Sequence, residues 1–398
     1  MRYLFAFSLL LLPSVAWAVP DEIYVDPAIA ADSGSGTIGS PYGDVQYALN
    51  NVNHGGDGAR INVKAGTAEV LASGGLTLAT YHSTNGAPSA TAPFIIQGYT
   101  SAAGDGGIAE FTGTANSAAF WIGTTTAGAD VDYATFRDLK ITTAQASGYS
   151  INIDNGFTMT NVELISPVGA VDFDNGVIEY CKISYVGTIG VTTFGNSQVR
   201  NNIFIQTSGT LATAVSGAGT VRGNIFNVRA ATAANNAVIL NQTVSETVDI
   251  SHNTILANIT SGTNANYGIT LASPSNSIEN NYIEGFGGTN GAGINITSAS
   301  VSSIVANNAF FANTANISNA GLMTISRGST TSLSASGVTS ASTGDYTPTA
   351  DLIDAGWPAG FVQTSGNANF PAIGAITPEH AGGGSNVVDP FSGSIPGL

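Results

Sequence analysis

Only three lysines occur in this chain of 398 residues, and two of them fall in step with a glutamate. Lys140, Glu163 and Lys182 hold the same place in three successive copies of a repeated phrase. In a stacked fold they form a Lys–Glu–Lys column, with Arg137, Tyr180, Glu179 and Arg200 close by. Such a column supports two kinds of chemistry. A cation beside an acidic sugar binds its carboxylate or takes a proton from the neighbouring carbon, which makes Lys140, Glu163, Lys182 and Arg200 the catalytic candidates. Arg137 and Tyr180 are then substrate-binding. The same residues also make a cross-strand charge ladder, which needs only alternating signs. A glutamate set between two lysines is poor company for a base, so binding a carboxylated sugar is favoured over proton abstraction.

A second acidic signal lies between these residues. Asp154-Asn155-Gly156 recurs as Asp174-Asn175-Gly176. Two carboxylates suit glycoside hydrolysis. Asp154 and Asp174 are also the candidate metal ligands, for calcium, although two acids need carbonyls and waters to complete its oxygen shell. Asn-Gly behind each Asp equally suits a tight turn. No cofactor is required by these residues, and calcium is the one they would take. His54, His82, His252 and His380 are scattered without metal-ligand spacing. Cys181 is the single cysteine, so no internal disulfide is expected and a small buried filler is.

The elements that position these groups follow from the phrase itself. It reads apolar, two mostly polar residues, Asn or a stand-in, a variable residue, apolar. Copies run from Phe136–Ile141 to Val305–Phe310. The fourth place is Leu139, Val162, Cys181, Asn202, Asn224, Asn253, Asn281 and Asn308, with separations of 19 to 29 residues. Units this short, with apolar spacing near two, fit coils of a parallel β-solenoid. Stacking at ~4.8 Å puts the five Asn amides in a hydrogen-bonded ladder. Phe204, Phe226 and Phe310 follow the inward pattern, whereas Trp121 and Tyr282 are freer to meet a sugar.

Around the repeats, residues 1–18 read as a signal peptide, with Arg2, the apolar run Leu4–Leu12 and Ala16-Trp17-Ala18. Residues 19–56 hold a strand and a helix opened by Ser40-Pro41, whose Val45, Ala48, Leu49 and Val52 share one apolar face and cap the first coil. Repeats occupy 57–345, a closing segment 346–380 and a loose tail 381–398. The net charge of −16 argues against nucleic acid and anionic membrane as partners. No span remains once the signal is removed.

Tyr24-Val25-Asp26-Pro27 with the helix at 42–52 looks like the opening of a known group. Asp345-Tyr346, Ile353-Asp354-Ala355-Gly356 and Ile373-Gly374-Ala375 look like its close. The chain resembles secreted right-handed parallel β-helix proteins, the pectate-lyase-like superfamily. The resemblance implies an all-β, right-handed parallel β-helix of about a dozen coils with an N-terminal capping helix. Asn152-Ile153-Asp154 and Asp172-Phe173-Asp174 imitate two polygalacturonase segments, but that group's Gly-His-Gly and Arg-x-Lys are missing. The expected function is an exported surface protein that binds a polysaccharide or cell-surface glycan, or builds structure. The alternatives are a polysaccharide lyase or glycoside hydrolase, and a phage-associated fibre or spike component.

Overall fold

A computed structural model describes residues 21–349, apart from 31–32, 52–57, 72–74, 78–88, 91, 116–119, 122–132, 145–148, 167–168, 187–188, 218, 242–247, 273–275, 298–303, 319–324, 328–330, 341 and 343–344. The expected signal peptide at 1–18, Val52, the closing residues 353–375 and the tail at 381–398 lie outside them.

The chain winds into a right-handed parallel β-helix. One long sheet runs from Asp21–Val25 through Ala59–Lys64, Phe94–Tyr99, Ala134–Ala144 and Thr158–Ser166 to Ile325–Arg327, and every pairing along it is parallel. A second sheet of ten strands runs beside it, from Leu76–Thr77 to Ala315–Ser318. Between the sheets lies the core. The first sheet contributes Phe136, Met159, Ile178, Val199, Val221 and Ile250; the second contributes Ile151, Val171, Val191, Val215, Ile239 and Ile269, all buried. Phe204 and Phe226 stack at 4.9 Å. Each such side chain contributes ~1.5–3 kcal/mol by leaving water.

Every phrase bends at its third place. Asp138, Asn161, Tyr180, Asn201, Gly223, His252, Asn280 and Asn307 all have left-handed backbone, φ 51° to 69°. Asn, Asp and Gly tolerate this region best, which accounts for most of the residues there. The bend splits one strand into two and turns the fourth place inward. The five anchor amides are buried and form the expected ladder. Asn202 Nδ2 donates to Asn224 Oδ1, Asn224 to Asn253 and Asn253 to Asn281, each at 3.0 Å, and Asn281 to Asn308, also 3.0 Å. Each Oδ1 also accepts the backbone N–H of the preceding anchor, at 2.9–3.0 Å. The second amide hydrogen reaches back to a strand carbonyl, as in Asn253 Nδ2 to Val221 O at 2.8 Å. Leu139, Val162 and Cys181 fill the same place apolarly.

The capping helix α1 spans Val45–Asn51 and buries Val45, Ala48 and Leu49. It starts later than Ser40-Pro41 predicts. Tyr42 is held as an extended bridge, donating to Tyr24 O and accepting from Asp26 N. Asp44 therefore caps the helix, accepting from Tyr47 N. At the other end Val338–Ser340 and Asp345–Pro348 form an antiparallel hairpin. It folds back on the outer face of the first sheet, where Val338 and Tyr346 join Ile225, Leu256, Tyr282 and Ala309 in a second apolar cluster.

Replacing Asn253 with Ala strands the Asn224 amide, the Val221 carbonyl and part of Asn281 in the interior. The expected cost is about 3–5 kcal/mol in urea unfolding. A loss below about 1 kcal/mol would show that the ladder does not carry the bend.

Candidate functional site

The fifth place of the phrase faces outward and forms one continuous column. Its register runs Glu110, Lys140, Glu163, Lys182, then Ile203, Ile225, Thr254, Tyr282 and Ala309. Lys140, Glu163 and Lys182 are adjacent as expected, but the column has a fourth charged member. Lys140 pairs with Glu110 at 3.2 Å, and Lys182 with Glu163 at 3.1 Å. Glu110 lies before the first recognisable copy of the phrase, so the repeat did not point to it. The column therefore reads Glu–Lys–Glu–Lys, with each cation matched by one carboxylate.

Arg137 and Arg200 belong to a different column, across the left-handed bend. Arg137 Nε donates to Gln97 Oε1 at 2.6 Å, and Arg200 Nε to Glu179 Oε2 at 2.8 Å. Tyr180 sits on the bend itself and is exposed.

The acidic pair is offset. A register shift after Phe173 sets Asp174 opposite Asn155, while Phe173 faces Ile153. The side chain of Asp154 lies outside the described residues. Asp172 and Asp174 share the outward face of one strand. Burial pushes the Asp172 carboxyl up to about 6, and the charge of Asp174 adds to it. Among the described residues no three His, Cys, Asp or Glu gather as a metal site. His252 is lowered by burial and by Arg222. Cys181 is buried and its thiol pushed up to about 12, as befits a filler.

Beyond Lys182 the column loses its charges, becomes mostly apolar and disappears under the hairpin. Tyr282, expected to be free for a ligand, is fully buried there. Its hydroxyl donates to Glu284 Oε2 and accepts from Gly337 N. Ser336 Oγ also donates to Glu284 Oε2, at 2.7 Å, and Arg229 pairs with Oε1 at 2.8 Å. Beside this network opens a cleft of about 490 Å³, built from the turns of successive coils and lined by Arg229, Asn258, Thr260, Glu284, Phe311 and Thr314 among others. Sequence reading missed it, because Arg229 and Glu284 stand 55 residues apart and meet only through stacking.

Asp172 gives a testable pH dependence. An acid raised on folding holds its proton more tightly in the native state, so stability falls as pH rises from about 4 through 6. Asp172→Asn should raise unfolding stability at pH 7 by about 1 kcal/mol after solvent screening, read as a higher melting temperature, and the gain should vanish below pH 4. An equal gain at both pH values would contradict this.

Comparison with known proteins adds three findings. No curated protein matches the sequence. Among solved structures, "Crystal structure of pectate lyase Pel9A" aligns at 15% identity with a TM-score of 0.45, over 89% of this chain and 96% of that one. The family described as "Periplasmic copper-binding protein (NosD)" matches residues 128–335, more than half of the sequence. The chain is a β-helix protein that belongs to the NosD family.

Proposed function

We propose that this is an exported β-helix protein of the periplasm or cell envelope, which binds a glycan without cleaving it. The cleft beside the hairpin carries the reading. Its wall sets the amide and hydroxyls of Asn258, Thr260 and Thr314 around Phe311, a half-buried ring. Convergent neutral polar groups beside an aromatic face suit sugar hydroxyls and C–H edges. The periplasmic description of the family supports the location.

The outward lysines support binding over elimination. Lys140 and Lys182 are each engaged by a carboxylate, so neither is free to take a proton from a sugar. The Glu110–Lys182 column acts as a ladder that holds strands together.

The family description names copper, and the described residues do not fit that ion. Copper selects thiolate, thioether and imidazole donors that converge. Here Cys181 and Met159 are buried in the core, and the one described histidine, His252, stands apart from any such cluster. No step is assigned to copper.

Affinity electrophoresis through gels of soluble polysaccharide, with ultraviolet detection of unsaturated product, tests the reading. The expected outcome is retardation without product, unchanged in Lys140→Ala/Lys182→Ala. Product formation would establish a lyase instead, and free migration in every gel would remove the glycan reading.

A further inference from the structure

The charge balance of the cleft identifies which glycans it accepts. Among the described residues, Arg229 and Glu284 are the only charged ones that line it, and they are paired at 2.8 Å. Glu284 is almost fully buried, its other oxygen held by Tyr282 and Ser336. The single positive charge of Arg229 is already matched by the buried Glu284, so a ligand carboxylate would bring a second negative charge to one cation, beside an acid that cannot move away. The surrounding chain carries a net charge of −16 and repels anionic polymers at long range.

The rest of the wall is neutral. Asn258 and Thr260 are exposed, and among the described residues no hydrogen bond from their side chains holds them away from the cleft. Thr314 Oγ1 donates to Gly288 O and keeps its lone pairs for an incoming hydroxyl. The floor is backbone: Gly285, at φ 86°, lies so close to Ala257 O that an added Cβ would stand 2.1 Å from it. A side chain there would lift the floor and close the space.

We propose that the cleft binds a neutral, hydroxyl-rich sugar chain and excludes uronates. This rests on the glycan reading above and fixes its substrate class. It runs against the expectation, drawn from the lysine column, of a carboxylated sugar.

The test compares soluble β-glucan, mannan, xylan and dextran with polygalacturonate and alginate, at low and high salt. Titration calorimetry is run on wild type and on Asn258→Ala/Thr260→Ala. At least one neutral polymer should bind with salt-independent affinity, and the double variant should weaken it about tenfold or more with an unchanged melting temperature. Salt-sensitive binding of uronates alone would overturn the neutral assignment while leaving glycan binding intact. Binding of no polymer would overturn both. Neutral binding that survives the double variant would overturn the cleft as its place.

Discussion

A left-handed bend inside a β-helix turns backbone amides and carbonyls toward an apolar interior, where each needs a partner. The asparagine ladder meets that demand. One side chain supplies two donors and one doubly used acceptor, and each copy completes the next. The ladder fixes coil upon coil from Asn202 to Asn308 whatever the chain does elsewhere in the turn. Separations of 29, 28 and 27 residues between the last four anchors leave room for longer turns. Those turns, around residues 257–260, 285–288 and 311–314, are the walls of the cleft.

The outer face is divided by the same column of residues. Up to Lys182 it is charged and internally matched; from Ile203 it is mostly apolar and covered by the hairpin. The hairpin does more than hide apolar surface. Ser336 and the Gly337 amide reach Glu284 and Tyr282, and Asn227 Nδ2 donates to Tyr346 OH at 3.0 Å. Glu284 is thus oriented from one side by the hairpin and from the other by Arg229. Its carboxylate forms the rigid, neutralised back of the cleft.

What could be read from the sequence was the part with a period. Asn202, Asn224, Asn253, Asn281 and Asn308 announced the ladder because one physical demand recurs at each coil. Lys140, Glu163 and Lys182 were correctly placed side by side for the same reason. Where the period breaks, inference broke too. Glu110 lies in a strand without the phrase, so the charged column looked unbalanced and suggested an acidic ligand. A register shift after Phe173 separated Asp174 from the residue its spacing matched. Tyr282 and Glu284 occupy outward places, and only the return of a segment more than 50 residues later buries them. Long-range folding back leaves no local mark, which is why the cleft was invisible until the coils were stacked.

A crystal structure of the protein with a neutral oligosaccharide tests most directly whether the cleft is the place where a neutral glycan lies. The sugar should lie against Phe311, hydrogen-bonded to Asn258 and Thr260, with the Arg229–Glu284 pair intact behind it. Sugar found instead along Glu110, Lys140, Glu163 and Lys182, or a broken Arg229–Glu284 pair with a carboxylate in its place, would contradict it.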